Sequence, residues 1–158
     1  MARTLNQRMT AEMDGDFVVF LIGMRINRPW MIWKWWPVVM AMVRMLFELK
    51  RAPDIGLLGV HNWFGRTIIL VQYWRSYDAL EAYAAARDKA HLPAWAAFNR
   101  AVGSNGDVGI WHETYVSGPG RYENVYNNMP PFGLGAVGQL VPATGRRERA
   151  SGRMTGET

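Results

Sequence analysis

The segment Trp30 to Leu49, "WMIWKWWPVVMAMVRMLFEL", limits the fold more than any other part of the chain, because nearly every position in it is apolar and it holds four of the eight tryptophans. A stretch of this kind must be covered either by lipid or by protein. A helix that spans a bilayer needs about 20 apolar residues with few charges. Here Lys34, Pro37 and Arg44 divide the run into short pieces, so the expectation is a helix covered by protein, with attachment to a membrane surface as the alternative. Apolar residues recur at Trp33, Trp36, Met40, Val43 and Phe47, the three-and-four spacing of one helical face. That face is expected to be buried, with Lys34 and Arg44 reaching solvent or an acidic group. Pro37 should kink the helix or mark its first turn.

The flanking segments alternate in type. Asp16–Asn27, "DFVVFLIGMRIN", is β-branched and aromatic and reads as a buried strand. Ile55–Trp63 and Thr67–Trp74 are strand patterns joined by "FGR", a connection of hairpin length. Ser76 sits at an N-cap position and opens an alanine-rich helix that closes on Gly103, with Pro93 dividing it. Its stripe is Leu80, Ala84, Arg87, His91, Trp95, Phe98 and Val102. Val108–Tyr115 is the last strand. Strand, helix, strand, strand, helix, strand is the order of an α+β, ferredoxin-like βαββαβ unit: a four-stranded antiparallel sheet with both helices on one face. The other face then needs a cover, and a homodimer joining two sheets face to face supplies one. Residues 1–15 read as an N-terminal arm, 16–142 as a single domain with a C-terminal extension, and 143–158 as an Arg-rich flexible tail.

Composition removes several function classes. A chain of 158 residues with 49% apolar residues fits one domain with one substantial core. The formal charge of +5 comes partly from four arginines against two glutamates in 143–158, and the remaining basic residues are scattered, so no nucleic-acid partner is expected. The absence of cysteine excludes disulfides, thiolate metal sites and a cysteine nucleophile. The polar start "MARTLNQRMTAEMDGD" does not resemble a signal peptide, and a cytoplasmic protein without stable membrane insertion is expected. No Walker loop, G-x-S-x-G or G-x-G-x-x-G occurs.

Three histidines remain as chemical candidates. His61 and His112 lie in strand patterns, where a histidine satisfied within the sheet is the plain reading. His91 lies on the second helix and is either a core histidine or a haem axial ligand. A single imidazole suffices for the latter, since the porphyrin supplies four ligands. Trp95 and Phe98 follow on the same stripe and could line a haem slot or simply fill core. Arg87, one turn earlier, could pair with a propionate or reach solvent. Asn99 and Arg100 have weaker claims. Arg25 and Asn27 share a strand face with Phe17, Val19 and Leu21, and could point into a cavity or mark the wet end of the strand.

The blocks "DGDFVVFLIGMRIN", "VQYWRSYDALEAYA", "HLPAWAAFNRAVG", "GDVGIWHETY" and "YENVYNNMPPFGLG" resemble the monooxygenase-like family that includes a fungal oxygenase of fumagillin biosynthesis, over about residues 9 to 150. That family is grouped with the dimeric α+β barrels, which include antibiotic-biosynthesis monooxygenases, haem-degrading monooxygenases, aldoxime dehydratases and chlorite dismutases. The resemblance implies a haem-dependent oxygenase, monooxygenating or alkene-cleaving, for a small hydrophobic alkenyl or aromatic substrate. In it His91 would be the proximal iron ligand to haem b, with Arg87, Trp95 and Phe98 around the cofactor. Cofactor-independent relatives use tryptophan and asparagine in the pocket, and Trp74 and Asn27 would be the loose counterparts. A non-enzymatic carrier of haem or a hydrophobic ligand is the third reading.

Overall fold

Four strands form the central sheet of the computed structural model, which describes residues 4–86, 96, 98 and 104–155. β1 (Met9–Glu12) precedes β2 (Phe17–Ile26), and α1 (Ile32–Arg51) leads through a 3₁₀ turn to β3 (Leu57–Trp63) and β4 (Thr67–Trp74). α2 (Tyr77–Ala85), β5 (Val108–Ser117), β6 (Gln139–Pro142) and α3 (Ala150–Met154) follow, with 3₁₀ turns at Gly133–Ala136 and Gly145–Glu148. The sheet runs β3-β4-β2-β5, with every neighbouring pair antiparallel. The first and third strands of the repeat are therefore central, as the ferredoxin-like order requires.

Register determines which side chains face the helices. Val18 lies opposite Trp74, Ile22 opposite Leu70, and Met24 opposite both Ile68 and Ile110, so even-numbered positions of β2 and β4 share one face. That face packs against α1 and α2 in two clusters. The first is Val18, Leu49, Trp74, Leu80 and Tyr83; the second joins Met24, Ile68 and Val108 to Trp35, Val38, Val39, Met42 and Phe98. α2 begins where expected, with the Ser76 hydroxyl accepting a hydrogen bond from the Ala79 N–H at 3.2 Å. Of the helix expected to continue to Gly103, α2 ends at Ala85, Ala96 and Phe98 are helical, and residues 87–95, 97 and 99–103 lie outside the described residues.

α1 corrects the sequence reading of its buried face. Trp33, Trp36 and Phe47 are exposed, whereas Trp35, Val38, Val39, Met42 and Leu49 meet the core. The expected stripe is a real helical face, but it points outward. Lys34 does reach an acidic group, the Asp107 carboxylate, at 2.6 Å. Pro37 stands inside the helix, beyond its first turn.

The second face of the sheet is partly covered by the chain itself. β1 and β6, neither of which stands out in the sequence, pair antiparallel, and Phe17 and Val19 pack with Tyr73 against Tyr122, Tyr126, Leu134, Val137 and Leu140. The approach is close enough that a Cβ on Gly59 would lie 2.4 Å from Val137 Cγ1. Residues 143–155, expected as a flexible tail, instead form a 3₁₀ turn and α3, held by Arg147–Glu12 and Arg153–Glu123 ion pairs. Two of the tail's arginines, Arg147 and Arg153, serve as partners for carboxylates on the arm and the 119–124 loop.

Candidate functional site

A partly open apolar cavity lies between the sheet and the two helices. Phe20 and Ile22 of β2 and Leu70, Gln72 and Trp74 of β4 form its floor, because alternate strand residues point the same way. α1 contributes Met42, Met45, Leu46 and Leu49, and α2 contributes Leu80, Tyr83 and Ala84, both sets at helical three-and-four spacing. The cavity measures about 50 Å³, room for about three or four water molecules. Pockets for drug-sized ligands are larger, about 300–1,000 Å³, so any sizeable occupant must displace part of the wall. Met42 and Met45, unbranched and adaptable, are the side chains best able to yield.

Polar groups are few and held in place. Trp74 is fully buried, and its indole N–H donates to Gln72 Oε1 at 2.9 Å. Gln72, also buried, is thereby fixed as a single amide in an apolar wall. Tyr83 stacks obliquely on Trp74 with ring centroids 5.8 Å apart, and its hydroxyl donates to Glu48 Oε2 at 3.2 Å. Burial, and then the charge and hydrogen bond of Glu48, push the Tyr83 hydroxyl well above the ordinary tyrosine range. Tyr83 is thus a neutral donor linked to a carboxylate, a pair able to accept a proton from a bound molecule and pass one on.

The structure separates the sequence candidates. Trp74 lines the cavity. Asn27 lies beyond the far end of β2, where its Nδ2 donates to the Gly106 carbonyl at 3.1 Å. Trp74 pairs with Val18, nine residues away along the strand, or about 30 Å, so Asn27 and Trp74 cannot act on one substrate in this chain. Phe98 packs in the second core cluster rather than on the cavity. Arg25 donates to the Thr67 hydroxyl at 3.2 Å near the strand end. His91, Arg87 and Trp95, together with Asn99 and Arg100, lie outside the described residues. His61 is on the opposite face, where its Nε2 accepts the Gly133 N–H at 3.0 Å and its ring sits 4.4 Å from that of Phe132. His112 faces the helix side beside Phe20, with centroids 5.8 Å apart, and is exposed.

Gln72, Tyr83, Glu48 and the two cavity methionines were not among the sequence candidates. Gln72 did leave a signal, as the one amide at even spacing in the apolar strand Thr67–Trp74. The others look like ordinary helix residues until the tertiary packing is known.

Two polar sites lie elsewhere. Asp107 is buried at the start of β5 and held by Lys34 and by Arg28 at 2.8 Å. The Lys34 hydrogen bond lowers its pKa, with the Lys34 and Arg28 charges assisting against desolvation. A larger cavity of about 160 Å³ lies among β1, residues 119–124 and residues 146–153. Its wall includes the Arg147–Glu12 and Arg153–Glu123 pairs, which neutralise one another, and it contains none of the candidate residues. Among the described residues no cluster of histidine, cysteine, aspartate or glutamate could hold a metal ion.

Known proteins supply the context for this site. "Monooxygenase af470" of Aspergillus fumigatus is 28% identical over 132 residues, covering 77% of this chain and 46% of its own length. The chain therefore spans about half of the curated relative it matches. Among solved structures, an aldoxime dehydratase bound to butyraldoxime overlays 87% of this chain and 44% of its own at a TM-score of 0.67 and 15% identity. SnoaB, a cofactor-independent oxygenase from Streptomyces nogalater, overlays 63% of this chain and 91% of its own at a TM-score of 0.46 and 15% identity. The dehydratase overlay shows a shared fold. The profile of the monooxygenase af470-like family matches residues 17–134, a span that includes every residue lining the cavity between sheet and helices, and the chain belongs to that family.

Proposed function

We propose that this protein is an oxygenase for a small hydrophobic, alkenyl or aromatic substrate held between the sheet and the helices. The observation that carries the reading is the apolar cavity lined by the hydrogen-bonded Trp74–Gln72 pair and by Tyr83, whose hydroxyl donates to Glu48. Apolar walls select the substrate, the fixed Gln72 amide orients a polar atom on it, and Tyr83 with Glu48 handles a proton.

Haem b with His91 as its axial ligand is one way to activate oxygen, and the described residues do not fit it. The cavity of about 50 Å³ leaves no slot for a porphyrin, and His91 itself lies outside the described residues. Tyr83 is kept protonated by burial and Glu48, which disfavours a phenolate ligand. The reading favoured by these walls is oxidation of an electron-rich substrate by oxygen directly. Conversion of an activated CH₂ to C=O is a four-electron oxidation that one O₂ matches: one oxygen atom becomes the carbonyl oxygen, and the other leaves as water with the two hydrogens of the CH₂, so no external reductant is needed. Tyr83 and Glu48 would take the first proton. The working form is inferred to be a homodimer joined through the uncovered part of the sheet's second face, where Trp63 and Tyr115 remain exposed.

The test is a hemin titration of purified wild-type and His91→Ala protein followed by absorption spectroscopy, alongside oxygen consumption with hydroxyaromatic and styrene-like substrates. Oxygen uptake without a Soret band supports the direct reading. A stoichiometric histidine-ligated Soret band lost in His91→Ala, with turnover only when hemin is present, would replace it with the haem-dependent one. Ligand binding without oxygen uptake would make the protein a carrier.

A further inference from the structure

Helix α1 is apolar on two opposite faces. Its inner face, Trp35 to Leu49, meets the sheet and the cavity, as described above. Its outer face carries Trp33 (67% exposed), Trp36 (51%) and Phe47 (58%), with Met40 and Val43 half-buried between them. These residues span 14 positions, about 21 Å along the helix axis, and form one continuous ridge. A helix that is apolar all round is normally covered on all sides, and the tertiary fold of the described residues covers only one side.

The charges beside the ridge identify its occupant. Arg44, Lys50 and Arg51 are exposed along the ridge and at the C-terminal end of the helix. The single acidic residue of α1, Glu48, accepts from Tyr83. A second copy presenting the same helix would bring more cations and no free carboxylate from α1. An anionic lipid surface supplies negative charge for the arginines and an interface in which tryptophan is at home. Among the described residues no helix is long and apolar enough to cross a membrane, which leaves attachment in the plane of the surface.

We propose that the outer face of α1 docks the protein on anionic bilayer surfaces, with Trp33, Trp36 and Phe47 entering the headgroup region and Arg44, Lys50 and Arg51 facing lipid phosphates. The inner face of the same helix walls the cavity through Met42, Met45 and Leu46, so docking sets the pocket one helix diameter from a lipid phase that dissolves hydrophobic substrates. This delivery role rests on the oxygenase reading. The docking itself does not.

The experiment is co-sedimentation of the full chain with vesicles of phosphatidylcholine, with and without a minor share of phosphatidylglycerol. Wild-type protein should partition to the anionic vesicles and should show tryptophan quenching by brominated lipid. Each basic residue near an anionic surface contributes about fivefold, so Arg44→Gln/Arg51→Gln should lower anionic binding about 25-fold. Trp33→Ser/Trp36→Ser should lower binding to both vesicle types by at least about tenfold, and because these side chains are exposed the thermal midpoint should hold. Absence of sedimentation and quenching overturns the proposal, as does unchanged partitioning of the tryptophan variant. A concentration-dependent dimer dissociated by Trp33→Ser/Trp36→Ser, without vesicle binding, overturns it in favour of a second copy. Vesicle binding by a protein that turns over no substrate sustains docking while removing the oxygenase, so the two failures are distinguishable.

Discussion

Replacing Trp74 with Phe should strand a polar atom inside the site. Trp74 is fully buried and its indole N–H is the donor to Gln72 Oε1 at 2.9 Å. The variant removes that donor and leaves a buried acceptor, a change that costs about 1–3 kcal/mol, and the smaller ring adds a void worth about 1 kcal/mol. Gln72→Leu performs the converse deletion and strands the indole N–H, at a similar cost of about 1–3 kcal/mol. The double variant Trp74→Phe/Gln72→Leu removes both polar groups together, so only the void should remain, about 1 kcal/mol. The two substitutions should therefore be strongly non-additive, with a coupling of at least about 2 kcal/mol. For a chain of this size about 2 kcal/mol corresponds to a loss of about 4–8 °C in the thermal midpoint, so calorimetry or urea unfolding of the four proteins resolves it. A double variant as unstable as the sum of the singles would refute the claim that these side chains act as one satisfied polar unit.

Other outcomes follow from contacts further from the cavity. The Asp107 carboxyl has a folded pKa below its unfolded value of about 3.9. Its contribution to stability is therefore present above that value and lost as pH falls through the lowered one, and Lys34→Met should flatten the stability-pH curve in that acid window, measured by urea unfolding. Tyr83 has the opposite case, a raised pKa, so its contribution is present below about pH 10 and lost as pH rises further. Tyr83→Phe should reduce the alkaline loss of stability. Gly59→Ala would place a Cβ 2.4 Å from Val137 Cγ1 and should destabilise by about 1–3 kcal/mol, read as a lower thermal midpoint that Val137→Ala partly restores.

The sheet and its order were legible from residue patterns because each central strand is β-branched and bounded by turn residues. Thr67–Trp74 has the bounds expected, and Phe17–Ile26 is one residue shorter at each end. The facing of α1 was not legible for a definite reason. Trp33, Trp36, Met40, Val43 and Phe47 repeat at helical spacing, and so do Trp35, Val38, Met42 and Leu49. Periodicity locates a stripe without saying which of two stripes meets the sheet, and only the tertiary fit of Trp35 and Met42 against Met24 and Ile68 decides. β1 and β6 are four residues each, too short to carry alternation, and they pair across more than 120 positions of sequence. Within the site, Trp74 was named only through the family resemblance. Asn27 was grouped with it by family resemblance, and the antiparallel register that puts Val18 opposite Trp74 sends Asn27 to the other end of the sheet. Gln72 became visible only when its partner did.

The most direct test of the central claim is incorporation of isotopic oxygen. Wild-type protein and Ala84→Phe, which puts a ring into the cavity from α2, would each be supplied with ¹⁸O₂ and a panel of small electron-rich aromatic and alkenyl substrates, and the products read by mass spectrometry. The account predicts one labelled oxygen atom in the product of the wild-type protein, with loss of that label in Ala84→Phe at an unchanged oligomeric state and retained fold. Label incorporated equally by the filled variant would contradict the assignment of the site, and absence of label from every substrate of the panel, with and without hemin, would contradict oxygenase activity itself.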